Sequence, residues 1–246
     1  MAFSEYIWWL IVIAVVSYLI GSVNNSITFS KIMKKDIRKQ GSGNPGTLNM
    51  SRTFGMGVGV MILVLDILKG VVPTLVAGLL FDKKYFAGTA FEMSDLTSYL
   101  AGFFVVVGHI FPVFYKFKGG KGIATTIGVF AVGQQHISWI FGALAILFIM
   151  LTAIGSMGSF IAITPPAVYA MIKLYYKVNF EAGLNRAETA YFITVNMLIL
   201  GIILLTLFAH RKNIQKLVSG NEHPTDWLRM LKDRKYKKKK AGSKGE

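Results

Sequence analysis

A five-residue loop, Lys118-Gly119-Gly120-Lys121-Gly122, carries the residue types of a phosphate site. Its three glycines let the backbone curl with its N–H groups on one concave side, and its two lysines add positive charge there. The apolar run from Ile123 predicts a helix start directly after the loop, and helix N-termini attract anions. A nucleotide-binding P-loop is excluded, because Tyr115 and Gly122 replace its first glycine and its Ser or Thr. The alternative is a flexible basic loop, which is common between membrane segments.

Another polar cluster, named the first cluster here because it comes earliest in the chain, runs from Gly41 to Arg52. Its glycines permit tight backbone turns, and the planar guanidinium of Arg52 suits a phosphate or carboxylate group. The neutral hydrogen-bonding side chains of this cluster are Ser42, Asn44, Thr47 and Asn49. The alternative to an anion site is an ordinary glycine-rich turn that caps the next membrane segment.

Two further pairs of polar residues have the spacing of one helix face. His210 and Asn213 lie three residues apart after an apolar run, and they share a face if that run continues as a helix. Histidine titrates near neutral pH, so His210 is a candidate for proton transfer that the asparagine could orient. Ser156 and Ser159 have the same spacing, which is also typical of small-residue contacts between membrane helices. His109, upstream of the glycine loop, is more typical of a packing or capping histidine.

Membrane segments must position these residues. The chain is 53% hydrophobic, and apolar runs of roughly 20 residues, the length that spans a bilayer core, recur along it. One run, Ile123–Val132, is too short to cross without an accompanying bend. We therefore expect an all-α membrane protein with about seven transmembrane helices. The segments are about Ile7–Val23, Val58–Leu80, Thr97–Phe114, Ile123–Val132, Ile137–Ile154, Phe160–Tyr176 and Ala190–Ala209, with Gly155–Ser159 as a break.

The distribution of lysine and arginine orients these segments. With seven crossings, one face collects 21 basic residues, from the loop Lys31–Arg52, the glycine loop and the C-terminal tail, against five on the other face. The basic face is then cytoplasmic, the N-terminus lies outside and the C-terminus is cytoplasmic. All the polar clusters meet at the cytoplasmic face. Asp66 and Lys69, three residues apart within one segment, are expected to form a structural ion pair.

Several chemistries are excluded because the necessary residues are absent. The chain has no cysteine, which removes disulfides and thiolate catalysis. It also lacks the acyltransferase dyad of a histidine with an aspartate five positions later. No cluster has the spacing of metal ligands, so we expect neither a metal nor a cofactor. The chain has a net charge of +15, and its basic residues flank the apolar segments. This position favours anionic lipid over nucleic acid as the partner of the basic residues.

Three stretches, Gly41–Arg52, Gly108–Thr125 and His210–Glu222, resemble in order and spacing the motifs of one family. It comprises the bacterial integral-membrane glycerol-3-phosphate acyltransferases that use acyl-phosphate, often called PlsY. The resemblance covers nearly the whole chain, and its second stretch is the most specific. The first motif usually reads Gly-Ala-Thr-Asn, whereas this chain has Gly-Thr-Leu-Asn at residues 46–49. An arginine often precedes the histidine of the third motif, where Ala209 stands here.

The resemblance implies seven membrane helices in a bacterial cell membrane, with an active site open to the cytosol. It implies transfer of a fatty acyl group from acyl-phosphate to the primary hydroxyl of glycerol 3-phosphate. The products would be lysophosphatidate and phosphate, in the first acylation step of phospholipid synthesis. The catalytic positions carried over are Ser42, Arg52, Lys121, His210 and Asn213. From the clusters we also expect substrate or phosphate binding by Gly41, Asn44, Asn49, Lys118, Gly119, Gly120, Gly122, Ser156 and Ser159.

The main alternative is a membrane transporter or channel for an organic phosphate. It would explain the basic face and the charges of Asp66 and Lys69 at membrane depth, but it predicts internal repeats that this sequence does not show. A lipid-binding scaffold that uses the basic tail would leave the glycine, serine and asparagine pattern unexplained. We divide the chain into an acyltransferase domain, residues 1–222, and a basic cytoplasmic tail, residues 223–246. The expected partners are glycerol 3-phosphate, acyl-phosphate and membrane lipids.

Overall fold

The computed structural model describes residues 3–177 and 183–221, and the predicted basic tail lies outside them. In these ranges the chain forms ten α-helices, joined by short connections that include 3-10 turns at 37–39 and 113–115. The helices are α1 (Phe3–Ser22), α2 (Asn25–Ile32), α3 (Thr47–Phe54), α4 (Met56–Leu80), α5 (Met93–Ile110), α6 (Ile123–Gly133), α7 (Gln135–Thr152), α8 (Gly155–Lys177), α9 (Arg186–Ala209) and α10 (Arg211–Val218). The expected all-α fold is confirmed for this part of the chain.

The described helices have the lengths and composition of a polytopic membrane protein. Six stretches are long and apolar enough to cross a membrane: Tyr6–Ile32, Met56–Leu80, Met93–Tyr115, Gln135–Thr152, Gly155–Lys177 and Arg186–Ala209. The seventh predicted segment forms α6, which is apolar but has only 11 residues. Six long helices and one short one agree with the prediction of about seven segments, and with the expectation that the short one cannot cross alone.

Two local expectations differ from the structure. The residues 155–159 do not break the chain, because α8 begins at Gly155 and the interruption lies just before it, at Ala153, which adopts a left-handed conformation with φ 62°. Gly158 instead serves packing, since an added Cβ would collide with Ile149 of α7. The predicted loop between the first two spans also contains two short helices, α2 and α3.

Glycines bring the helices around the site into backbone contact. At Gly21 of α1 an added Cβ would collide with the Val105 carbonyl of α5, and at Gly70 of α4 with the Thr125 carbonyl of α6. Gly108 and Gly128 make the reciprocal contacts in these two helix pairs. Small residues allow such close approach in membranes, where helix association depends on van der Waals packing. These contacts fix the end of α5 and the start of α6, which flank the glycine loop.

Candidate active site

A cleft of about 200 Å³ lies at the glycine loop and is lined by residues from three of the predicted clusters. Its polar wall is formed by one residue of the first cluster, by the loop itself and by the start of α10. Its apolar wall is formed by the ends of α5 and α9. The lining residues are Asn44, Ile110, Phe111, Phe117, Lys118, Gly119, Gly120, Lys121, Phe208, Ala209 and Arg211.

The glycine loop is held against the end of α5. The Gly119 amide donates to the Ile110 carbonyl at 3.1 Å, and the Gly120 amide donates to the His109 carbonyl at 3.2 Å. These two N–H groups therefore do not face a ligand, in contrast to the cradle expected from the sequence. Gly120 has no room for a side chain, because an added Cβ would collide with His109 Nε2 and lie 3.0 Å from the Pro45 carbonyl.

The start of α6 can attract an anion, whereas the amides of Gly119 and Gly120 already donate to carbonyls of the protein. Gly122, in a left-handed conformation with φ 85°, caps α6 without a side-chain hydrogen bond. The first N–H groups of a helix have no acceptor within the helix, and its dipole adds partial positive charge there. Lys118, exposed, and Lys121, half-buried, flank this helix end. The glycine loop therefore remains a candidate anion site, with the helix start and the two lysines as its available donors instead of the amides of Gly119 and Gly120.

Lys121 is linked to the predicted pair of His210 and Asn213. Its Nζ donates to Asn213 Oδ1 of α10 at 2.8 Å, across 92 residues of sequence. The bond restricts the ammonium, since lysine otherwise rotates freely about a four-carbon stem. Two of the five predicted catalytic residues are therefore in direct contact.

His210 is buried between α8 and α9, just beyond the membrane-spanning part of α9. Its Nδ1 lies 2.9 Å from the Thr206 carbonyl, which can only accept, so Nδ1 carries the proton and Nε2 is left as an acceptor. The ring packs edge-on against Phe160, with centroids 5.4 Å apart. Burial first, and then the positive charge of Lys121, lower the pKa of His210 to about 4, although the Thr206 carbonyl opposes this. His210 is therefore neutral at pH 7.

Asn49 organises the first cluster. Its buried Oδ1 accepts from the Ser42 amide at 3.0 Å, and its Nδ2 donates to the Gln40 carbonyl at 2.9 Å and to the Ile37 carbonyl at 3.4 Å. These bonds place Asn49 as a brace of the loop. Gly41 lies directly against the same amide oxygen, which explains the glycine there.

Four further predicted site residues, two in the first cluster and two in α8, lie outside the cleft wall. The side chains of Ser42 and Arg52 are exposed and do not line the cleft. Ser156 is buried in the first turn of α8, and the Ser159 hydroxyl donates to the Gly155 carbonyl of its own helix at 2.9 Å. Neither serine lines the cleft, whereas Phe160, which follows Ser159 in the chain, packs on His210.

Sequence reasoning missed the apolar wall of the cleft. Phe111 and Phe208 lie with ring centroids 6.4 Å apart, next to the loop. Each lies two residues from a histidine that sequence reasoning did consider, His109 or His210, but within apolar runs they carry no separate signal. The cleft thus combines basic groups with aromatic carbon, as a phosphorylated lipid would require.

Comparisons with known proteins match almost the whole chain. A family model described as Glycerol-3-phosphate acyltransferase matches residues 11–220. A glycerol-3-phosphate acyltransferase from Mycoplasmopsis pulmonis is 35% identical over 217 residues, which is 88% of this chain and 93% of the relative. One from Halalkalibacterium halodurans is 36% identical over 219 residues, covering 87% and 94%.

Solved structures give the same result. A crystal structure of PlsY (YgiH), an integral membrane glycerol 3-phosphate acyltransferase, in its glycerol 3-phosphate form is 29% identical, with a TM-score of 0.71. The match covers 91% of this chain and 98% of that one. The lysophosphatidic acid form of PlsY matches with a TM-score of 0.69 at 28% identity over the same shares.

Proposed function

This chain belongs to the glycerol-3-phosphate acyltransferase family and is a membrane-embedded enzyme of that activity, and we propose that its acyl donor is an acyl-phosphate. The acyl group passes to the primary hydroxyl of glycerol 3-phosphate, giving lysophosphatidate and inorganic phosphate. Structural relatives crystallised in a glycerol 3-phosphate form and a lysophosphatidic acid form support this acceptor and product. The reaction is the first acylation step of phospholipid synthesis.

One observation carries the proposal: the Lys121–Asn213 contact lies beside the start of α6 and beside a phenylalanine wall. The ammonium and the helix end attract phosphate, and Phe111 and Phe208 offer apolar surface to an acyl chain. Glycerol 3-phosphate needs only the first environment, whereas an acyl-phosphate needs both. A single cleft therefore accommodates the reacting ends of the two substrates.

The chemistry requires no covalent enzyme intermediate, because acyl-phosphate is already activated. The acceptor hydroxyl oxygen attacks the carbonyl carbon, the bond from that carbon to the phosphate oxygen breaks, and phosphate leaves. Lys121 and the start of α6 stabilise the negative charge of the leaving phosphate. We propose that His210, which is buried beside the cleft and does not line it, orients the hydroxyl by accepting a hydrogen bond at Nε2. A substrate phosphate, with a second pKa near 6, is a stronger base than the neutral His210 of the empty site and takes the proton.

The proposed catalytic residues are Ser42, Arg52, Lys121, His210 and Asn213. Ser42 and Arg52 act from the exposed first cluster, where a bound substrate phosphate would bring Arg52 to the cleft. Asn44 and Lys118 bind substrate directly. The supporting positions of the same site are Gly41, Asn49, Gly119, Gly120, Gly122, Ser156 and Ser159.

Acyl transfer is tested with the purified enzyme in detergent. Glycerol 3-phosphate is supplied with palmitoyl-phosphate, palmitoyl-CoA or palmitoyl-carrier protein, and phosphate release and lysophosphatidate are followed. We expect product with palmitoyl-phosphate alone. Product from palmitoyl-CoA without product from palmitoyl-phosphate would overturn the donor, and no product from any donor would overturn the function. Lys84→Ala, outside the cleft and the first cluster, is the control variant.

We also propose that the site faces the cytoplasm of a bacterial cell, that residues 1–222 form the acyltransferase domain, and that the tail 223–246 binds anionic lipid. The chain has no cysteine, so single cysteines can report the orientation. In intact cells, a membrane-impermeant maleimide should label Lys84→Cys and spare Lys35→Cys. The opposite labelling would reverse the orientation.

A further inference from the structure

A buried polar network lies behind the glycine loop and has no part in the chemistry described above. Lys69 Nζ lies 3.3 Å from Asp66 Oδ1, 2.9 Å from the Val23 carbonyl and 3.0 Å from His109 Nδ1. Asn25 Nδ2 donates to the same Asp66 oxygen at 2.8 Å. The predicted ion pair is therefore present, and it is one part of a larger set that joins four segments of chain.

Lys69 Nζ lies against the C-terminal end of helix α1, where carbonyl groups compensate its positive charge. Helix α1 ends at Ser22, and Val23 and Asn24 separate it from α2. The Val23 carbonyl therefore lies at a helix C-terminus, which carries partial negative charge. Buried ion pairs stabilise a protein only when further hydrogen bonds satisfy both groups, and here Asn25 and Val23 supply them.

The network determines which nitrogen of His109 carries a proton. The ammonium of Lys69 has donors only, so Nδ1 accepts and Nε2 holds the hydrogen. The Thr125 hydroxyl lies 3.2 Å from the same Nδ1. The opposite edge of the ring, at Nε2, lies against Gly120. One rigid imidazole thus connects the buried lysine with the backbone of the glycine loop.

We propose that Asp66, Lys69 and His109 form a positioning network for the glycine loop; this rests on the proposed function, in which that loop holds a substrate phosphate. Lys69 fixes His109, whose ring and carbonyl both contact Gly120. Gly70, the neighbour of Lys69, packs against the Thr125 carbonyl in the first turn of α6. The same stretch of α4 therefore fixes both sides of the phosphate site, although none of the three residues lines the cleft.

Two charge-matched double variants test the network. Asp66→Asn with Lys69→Met removes the ion pair and the lysine donor to His109 and leaves the longer Thr125 contact, whereas Asp66→Asn with Lys69→Gln keeps an amide donor at position 69 in a side chain one atom shorter. We expect the Met variant to raise the KM of one substrate by about tenfold or more, because small displacements of a binding group are costly. That substrate should be the one whose KM rises in Gly120→Ala. The Gln variant should recover most of the loss.

Tyr99→Phe is the matched control, since it removes another buried contact of α5, the 2.7 Å bond from Gln134, away from the loop. It should change neither KM. Gel filtration and thermal denaturation establish that each variant is folded.

A folded Met variant with the wild-type KM for both substrates would overturn the network, as would equal kinetics of the Met and Gln variants. If the wild-type enzyme itself makes no lysophosphatidate, the proposed function fails instead. If the Met variant does not fold, His109→Gln, which keeps a donor near Nε2 but loses the acceptor for Lys69, must raise the same KM.

Discussion

The contact between Lys121 and Asn213 gives the sharpest prediction, because it links two proposed catalytic residues by one bond of 2.8 Å. Lys121→Met removes the charge and keeps the length of the side chain. A hydrogen bond from a charged group contributes about 1.5–3 kcal/mol, which corresponds to about 10- to 150-fold in rate. We expect kcat/KM for acyl-phosphate-dependent phosphate release to fall by that factor.

Asn213→Leu removes the partner of the lysine and keeps its approximate volume. If Asn213 acts by holding Lys121, its removal costs at most what the loss of Lys121 costs. The double variant should then be no worse than Lys121→Met alone, and the double-mutant cycle should show a coupling close to the full effect of Asn213→Leu. Lys212→Met, on the same helix but exposed and outside the cleft, should change kcat/KM less than about twofold.

The assay is the initial rate of phosphate release in detergent, at several concentrations of each substrate and for all four members of the cycle. Multiplicative losses in the double variant would refute this reasoning, because they would show that the two residues act independently. Wild-type kinetics in Lys121→Met would refute it more completely, since the ammonium would then have no part in the reaction.

Three further predictions follow from the geometry. Gly120→Ala should lower activity by about tenfold or more through its collision with His109, while Gly142→Ala, with nothing within 4 Å, should not; equal activities would show that the loop adapts. Asn49→Ala should lower the melting temperature by the equivalent of about 1–3 kcal/mol and speed hydrogen exchange at residues 40–44, and unchanged exchange would contradict its role as a brace. The pKa of His210 falls from 6.5 unfolded to about 4 folded, so the unfolded chain binds the proton first; the stability that the neutral ring gives is full above pH 6.5 and is lost progressively as the pH falls from 6.5 to about 4. Between pH 7 and 4.5 the melting temperature should therefore drop more in the wild type than in His210→Asn, and parallel curves would mean that His210 is not buried as described.

Much of the fold was predictable because membrane segments have a strong sequence signal. The span predicted from Val58 forms a helix that begins two residues earlier, at Met56, and both assignments end at Leu80. Helices α2 and α3 were missed because each has only eight residues, with polar side chains and little apolar excess. The position of the break before α8 was also wrong, because glycine and serine in 155–159 suggest a loop where they serve close packing against α7.

The residues of the candidate site could be proposed from the sequence, but their contacts could not. The seven predicted crossings placed Lys121 and His210 at one membrane face, whereas the direct partner of Lys121 is Asn213, 92 residues away. Nothing local indicates that the Gly119 amide bonds the end of α5, because a glycine-rich stretch has many curled conformations. Tertiary contacts choose among those conformations, and a single sequence does not report them.

The shortness of α6 has a consequence for the bilayer around the enzyme. At 1.5 Å per residue its 11 residues rise about 16 Å, roughly half of a hydrocarbon layer about 30 Å thick. Its start adjoins the end of α5 at the cleft, and its C-terminal end turns into α7 beside Tyr99, whose hydroxyl accepts from Gln134 at 2.7 Å. The short helix therefore ends partway along α5. Unpaired peptide groups cannot face lipid tails, so the turn between α6 and α7 must be shielded by protein, and the bond from Gln134 to Tyr99 satisfies one of its polar groups.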